Sequence, residues 1–319
     1  MNPYILIVLA AALWALLGVF TLGLLDVGVG AMEIAFWRAV IAGVLFIVHA
    51  YFVGGLKLRN PRDGAIFVGF GLVGITLFFI ALTLAIEAGG ISLAIVLLYT
   101  APVFVIILAR IFLQEAITAV KLTAVAMVIV GVALVALSGG GPGVRVSVTS
   151  VFWGIVAGLG YSSFYIIGKY LLTHYKPVTV YAFILPVGAL GILPFVEFGP
   201  KSTTAWALLV GVSVLSTYLA YLVYYTGLRR AEASRAVLVA SLEPVIAATL
   251  AAVIFGERFG LWGLGGAGLV VAASVIGVIE GGRNGEKGKG EKVKGKGNRR
   301  GGEGAEDAET VGGVTPEPH

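Results

Sequence analysis

Between residues 4 and 279 the chain holds ten stretches of roughly twenty residues in which apolar side chains run almost without interruption. They lie at 4–25, 31–53, 65–86, 91–112, 118–138, 151–172, 178–198, 204–227, 233–255 and 261–279. A helix needs about 20 apolar residues to cross a bilayer core of about 30 Å. In lipid the backbone must bond to itself, which leaves helices or a closed barrel. Barrel strands are about ten residues long with alternating polarity, whereas these runs are longer and apolar throughout. The pattern therefore predicts an all-α membrane protein with ten transmembrane helices. Turn formers and charges punctuate the runs, as in Asn60-Pro61-Arg62-Asp63-Gly64 and between Ser138 and Gly143. Gly, Ala and Ser inside them fit close helix packing in lipid.

Composition sharpens this picture. The chain is 59% hydrophobic and 12% charged, with a mean hydropathy of +1.00, outside the range of soluble domains. From Gly281 onward it changes to a Gly- and charge-rich segment, 281–319, which predicts a disordered tail because too little apolar area offsets the ordering entropy. That tail is expected to be solvated, with contact between its Lys/Arg run and anionic lipid headgroups as the sharper alternative. The net charge of +5 sits in short loops and the tail, not on a folded face, so no nucleic-acid partner is expected. There is no cysteine, which excludes disulfides, thiolate metal sites and cysteine nucleophiles. The start Met1-Asn2-Pro3 lacks the basic region of a signal peptide, so residues 4–25 read as a retained first span.

Orientation follows from where the cations lie. With the N-terminus inside, the inner loops, helix ends and tail carry 18 Lys and Arg, and the outer segments carry only Arg145, Lys201 and Arg258. This predicts both termini in the cytoplasm and a multi-pass protein of the cell membrane.

An internal repeat organises the ten runs. Residues 91–115 and 233–257 align at a constant offset of 142, pairing Ser92 with Ser234, Pro102 with Pro244 and Glu115 with Glu257. The repeat reads as five spans copied once, dividing the chain into 1–143, 144–280 and the tail 281–319. Five crossings is odd, so the second copy is expected to be inverted, the arrangement that supports alternating access around a mid-membrane site.

Pro-Val-Phe at 102–104 with Phe-Leu-Gln-Glu at 112–115, and Glu-Pro-Val-Ile at 243–246 with Ile-Phe-Gly-Glu-Arg at 254–258, close the fourth and ninth runs. On these motifs residues 4–279 resemble the EamA-type drug/metabolite transporters. Arg38 resembles a basic residue of that family's second span, and Lys169-Tyr170-Leu171-Leu172 the ending of its first helix in the second half. The resemblance implies a secondary transporter that moves a small metabolite, amino acid or drug-like molecule, mostly outward. It leaves proton coupling, exchange and facilitation open, and it implies no cofactor. It also implies that Trp14, Tyr99, Tyr161, Tyr218 and Tyr221 occupy cavity-facing positions. One departure is that Ala101 stands where the second half has Glu243.

Glu243 is the most informative residue, because a carboxylate near mid-span costs about 2.5–3.5 kcal/mol on insertion scales. It reads either as a protonatable or cation-binding pathway group or as a structural acid paired with Arg38. Pro102 and Pro244 are expected to kink their helices, for packing or to free carbonyls towards a cavity. Arg38 either snorkels to the outer interface or points inward. Tyr218, Tyr221 and Tyr225 share a helical face by spacing, as substrate contacts or as packing. Glu115 and Glu257 end their helices, with Lys121 or Arg110 and with Arg258 as expected partners. The substrate or ion pathway is thus expected at Glu243, Tyr99, Trp14, Tyr161, Tyr218, Tyr221 and Arg38, with no catalytic and no metal-ligating set. Rival classes are a lipid-handling or non-transporting membrane subunit and, least favoured, an intramembrane enzyme, for which none of the sequence motifs HExxH, GxSxG or a P-loop is present. The oligomeric state is left open.

Overall fold

The structure, a computed structural model, describes residues 2–138, 146–255 and 260–280. The expected tail 281–319, the linker around Pro142, and Arg145, Glu257 and Arg258 lie outside the described residues. The chain divides into two compact units, Met1–Gly277 and Val278–His319, and the packing below is that of the first. Among the described residues are ten helices long and apolar enough to cross a membrane: Pro3–Asp26, Ala31–Phe52, Asp63–Gly89, Ile91–Phe112, Ala119–Leu137, Val148–Leu172, Pro177–Phe195, Thr203–Leu228, Ala233–Ile254 and Leu261–Glu280. They are called spans 1 to 10 here, and they coincide with the ten apolar runs to within a few residues. Local sequence sets their starts. The Asn2 side chain accepts from the Tyr4 N–H at 3.0 Å ahead of Pro3, Ser147 and Ser150 form a reciprocal capping box, and Ser202 Oγ accepts from the Ala205 N–H. Gly90, at φ +84°, joins spans 3 and 4 through a single residue.

The outer surface is apolar, with Leu190, Val253, Leu261 and Trp262 all exposed. Lipid rather than water suits that surface. Side-chain hydroxyls inside the bundle bond back to the helix, as Ser213 does to the Leu209 carbonyl at 2.6 Å, or across helices, as Ser274 of span 10 does to the Leu238 carbonyl of span 9 at 2.8 Å. Ser274 stands within a core shared by spans 4, 5, 9 and 10 that includes Tyr99, Ile106, Val128, Leu238 and Val270.

Besides the 3-10 turn that ends span 7 at Leu193–Phe195, four spans depart from regular helix in mid-course. Span 3 widens into a π-helix at Gly71–Leu77, and span 8 does so at Val214–Leu219. Span 4 breaks at Tyr99–Thr100, and span 9 at Ser241–Leu242. Both kinds of irregularity recur at the same 142-residue spacing as the sequence repeat. The breaks also revise the expected kinks. Pro102 and Pro244 each sit in the first turn of a new half-helix, Ala101–Phe112 and Glu243–Phe255, where a missing N–H costs nothing. Each chain path is interrupted just ahead of its proline rather than bent at it.

Packing runs between the halves as much as within them. Span 2 lies against span 7, span 1 against spans 8 and 9, and span 6 against spans 3 and 4. Gly131 of span 5 and Gly266 of span 10 meet backbone to backbone, since a Cβ on either would come within 2.7 Å of the other's carbonyl oxygen. Exchanging each span for the one five places along maps this set of contacts onto itself.

Polar contacts tie the span ends together. At the end of span 4, Glu115 accepts from the backbone N–H groups of Ala233 (2.6 Å) and Ser234 (3.1 Å) and from the Ser234 hydroxyl, so it caps the start of span 9 from a distant part of the chain. Lys121, buried, donates to Glu232 Oε2 and to the Ala116 carbonyl, both at 2.9 Å, and lies 4.0 Å from Glu115. Arg235 completes the cluster at 3.1 Å from Glu232. Lys121 is thus Glu115's partner, and Arg110 is exposed. Lys169, near the end of span 6, donates to the Leu228 and Ala231 carbonyls at 2.7 and 2.6 Å, closing the C-terminal end of span 8. Elsewhere Glu33, at the start of span 2, forms a buried ion pair with Lys201, whose ammonium lies 5.7 Å from the rings of Trp37 and Trp206. Each cluster joins ends that alternate crossing of the membrane brings to the same face.

Two outcomes test this packing. Gly188 of span 7 faces Ile75 of span 3 so closely that an added Cβ would fall 2.3 Å from its side chain, whereas Gly18 has open space. Gly188→Ala should lower stability by about 1–3 kcal/mol and Gly18→Ala should not, as read by thermal unfolding in detergent. Equal effects would contradict the close approach. Glu115→Ala removes a cap and leaves Lys121 less compensated, so it should cost about 3 kcal/mol, and Ser234→Ala about 1 kcal/mol. A Glu115→Ala protein that melts with wild type would mean that the clasp on span 9 does not form.

Candidate functional site

The half-helix breaks and the π-segments converge on one cavity. Its walls include Trp14 and Leu17 of span 1, Arg38 of span 2, Phe78, Phe79 and Leu82 of span 3, and Leu98 beside the break in span 4. Spans 6, 8 and 9 complete it with Tyr161, Phe164, Tyr165, Tyr221, Tyr224 and Glu243. The volume is about 110 Å³, less than the roughly 150 Å³ that accommodates benzene in an engineered apolar cavity. In this state the space takes a few waters or a small polar group.

Glu243 is the first residue of the second half-helix of span 9, where the N-terminal end of the helix dipole favours a negative charge. The Tyr99 hydroxyl donates to its Oε2 at 3.4 Å, a long contact. Tyr99 stands behind the carboxyl, at the break in span 4, rather than in the cavity wall. Tyr165 donates to the Tyr161 hydroxyl at 3.3 Å, so the wall beside Glu243 is a run of phenols.

Arg38 points inward. It is 5% exposed, its Nε donates to Thr217 Oγ1 at 3.1 Å, and its guanidinium carbon lies 5.4 Å from the Phe79 ring centroid. The snorkelling alternative is therefore set aside. Thr217 belongs to the π-segment of span 8, and its hydroxyl also reaches the Val212 carbonyl at 3.3 Å. No ion pair joins Arg38 to Glu243 among the described residues. One guanidinium and one carboxyl thus face the same small space without neutralising each other by contact.

Aromatic rings shape the remainder. Trp14 meets Tyr224 at 4.9 Å and Tyr221 at 5.7 Å, and Tyr221 stacks on Tyr181 at 4.5 Å with a 7° interplanar angle. Tyr225, fully buried, donates to the Phe164 carbonyl at 2.9 Å. Of the expected pathway residues, Glu243, Trp14, Tyr161, Tyr221 and Arg38 line the cavity, and Tyr99 backs it. Tyr218 does not line it: its hydroxyl pairs with His49 Nδ1 at 2.8 Å, and its ring lies 4.7 Å from Phe46. Tyr218 lies inside the π-segment and packs on Phe46, whose ring stacks on Tyr181, and Tyr181 in turn meets Tyr221 and Tyr225.

Phe78, Phe79, Phe164, Tyr165, Tyr224 and Thr217 were not anticipated. Tyr165 follows Tyr161 by four residues and Tyr224 follows Tyr221 by three, a helical spacing that points both at the same wall. Phe78 and Phe79 follow the π-segment of span 3, where the facing direction departs from regular helical spacing.

Comparison with known proteins agrees with this architecture. The EamA-like transporter family matches residues 1–137 and again residues 148–279, one match over each half. An "uncharacterized transporter" of Archaeoglobus fulgidus is 28% identical over 282 residues, covering 86% of this chain and 98% of its own length. A "probable terminal-alkyne amino-acid exporter" of Streptantibioticus cattleyicolor is 26% identical over 241 residues, covering 72% and 78%. A solved crystal structure shares the fold with a TM-score of 0.75 at 17% identity, over 88% of this chain and 98% of the other. Ten membrane-crossing helices and a family match over both halves lead to one conclusion: the chain belongs to the EamA-like transporter family, and it is a multi-pass membrane transporter.

Proposed function

We propose that this transporter carries a small amphipathic zwitterion, of the amino-acid class, across the cell membrane by alternating access, in the export direction. The observation that carries the reading is the pairing of Arg38 and Glu243 in one aromatic-lined cavity with no ion pair between them. A guanidinium offers charge-assisted bonds to a substrate carboxylate. A carboxylate accepts an ammonium, and the rings of Trp14, Phe78 and Tyr221 provide an apolar wall with quadrupolar faces for a cation. The name of the Streptantibioticus relative is consistent with such a substrate and direction.

Alternating access draws support from the recurrence of the π-segments and helix breaks at one spacing, from the self-mapping contacts, and from the separate family match on each half. Half-helices meeting at mid-membrane are the construction by which inverted repeats hold a substrate between them. In this reading Glu115, Lys121, Glu232 and Arg235 form the cytoplasmic closure, and the Glu33–Lys201 pair is the contact opposite. Both termini are then cytoplasmic.

Glu243 is also placed to couple transport to protons, since a carboxyl at that depth exchanges a proton as the cavity changes its access to water. Glu243→Gln keeps the volume and removes the titration. It should abolish pH-driven accumulation in proteoliposomes while the thermal midpoint stays close to wild type. Arg38→Gln should weaken uptake of radiolabelled amino acids most for those with a free carboxylate, and less for their amides. Wild-type transport and pH response in Glu243→Gln would end the coupling role. Equal losses for acids and amides in Arg38→Gln would end the assignment of the carboxylate site.

Orientation has its own test, made simple by a chain without cysteine. Single cysteines at Gly199 and at Lys57, both exposed, should react with an impermeant maleimide from outside and only after lysis, respectively. The reverse pattern would overturn the topology.

A further inference from the structure

A second cavity lies away from the central one, at the ends of spans 2 and 8 and the start of span 7. It measures about 700 Å³ and is lined by His49, Val53, Lys176, Val178, Leu222 and Arg229, with Arg230, Thr226 and Pro177 at its edge. Lys176, Arg229 and Arg230 converge there, all exposed. None of the three enters an ion pair among the described residues. Lys176 Nζ reaches only the Val53 carbonyl, at 3.2 Å. The helix of span 7 opens onto the same space at Pro177, and Lys176 at its cap position supplies no side-chain hydrogen bond, so a helix N-terminus adds its positive end to three cations. Deeper in, His49 is held by the Tyr218 hydroxyl at 2.8 Å. The apolar part of the lining is Val53, Val178 and Leu222 with Pro177.

We infer that this slot binds the phosphodiester headgroup of an anionic phospholipid, with its first acyl carbons against Val53, Val178 and Leu222. The shared chemistry is a phosphate anion, and two features point to a lipid as its source. The cations stand at span ends, at the depth where headgroups lie, and basic pockets between helices at the cytoplasmic side are a general way of holding such groups. Beside the cations the lining is Val53, Val178 and Leu222, where a free phosphate would want more donors. The site is distinct from the central cavity, whose lining shares none of these residues.

The test uses the full chain in nanodiscs of phosphatidylglycerol and phosphatidylcholine, with retained lipid counted by native mass spectrometry after detergent release. Wild type should retain phosphatidylglycerol preferentially. The triple variant Lys176→Gln, Arg229→Gln, Arg230→Gln should lose that preference, and each single variant should lower it about fivefold. The matched loop triple Lys57→Gln, Arg59→Gln, Arg62→Gln should keep it. Equal loss in both triples would reduce the effect to general surface charge and overturn the site, as would full retention in the slot variants. Displacement of the bound lipid by millimolar glycerol 3-phosphate would show a free anion to be the occupant and would also overturn the inference. The single variants keep the test decisive if the slot triple is not monodisperse, and none of the outcomes depends on the substrate of the central cavity.

Discussion

Every backbone N–H and C=O in the bilayer core must find a partner inside the protein, because lipid offers none. Most of this chain meets that demand with uninterrupted helix. Two spans do not: they stop and restart in mid-course, at Tyr99–Thr100 and at Ser241–Leu242. The residues at the breaks make up part of the loss. Thr100 bonds the Leu97 carbonyl through both its N–H (3.1 Å) and its hydroxyl (2.6 Å), and Ser241 Oγ bonds the Val237 carbonyl at 2.8 Å. The prolines that follow stand in the first turn of the new half-helices, where a missing N–H leaves no helical bond unmade. The two breaks flank the central cavity, with Leu98 and Glu243 in its wall.

The same rule governs the charges. Two clusters at span ends pair their ions, Lys121 and Arg235 with Glu232 in one and Lys201 with Glu33 in the other. The central Arg38 and Glu243, both deep in the bundle, do not pair with each other. Arg38 is satisfied at Nε by a neutral threonine and Glu243 by a phenol at long range. Full pairing between them would fill the cavity with its own counter-charges and leave nothing for a substrate to replace.

Much of the fold was legible in the sequence because its signal is crude and strong: twenty apolar residues in a row have few alternatives. The deep carboxylate was legible for the same reason, since Glu243 stands out in an apolar run. Arg38 was visible as a residue but not in direction, because its partner Thr217 lies 179 positions away and carries no pattern of its own. The π-segments were not legible at all. Widening one turn shifts the facing of the residues around it, and Tyr218, expected in the pathway with Tyr221, lies inside such a segment and bonds His49. Where helical spacing survives, as from Tyr161 to Tyr165, the missed wall residue could have been found.

The two π-segments also bear on ancestry. A π-turn is one extra residue taken into an α-helix, and span 3 and span 8 carry theirs at matching positions. On the reading of the halves as copies, a single insertion before the duplication accounts for both, whereas two later insertions would have had to strike the same turn twice. The ancestor was then a five-helix chain already carrying the distortion. If the halves are inverted as proposed, two of its molecules met in opposite orientations, and that chain would have entered the membrane both ways up. Fusion would have ended that ambivalence and left each half free to drift in charge, and an acid at Glu243 against an alanine at Ala101 is the kind of difference such freedom would leave.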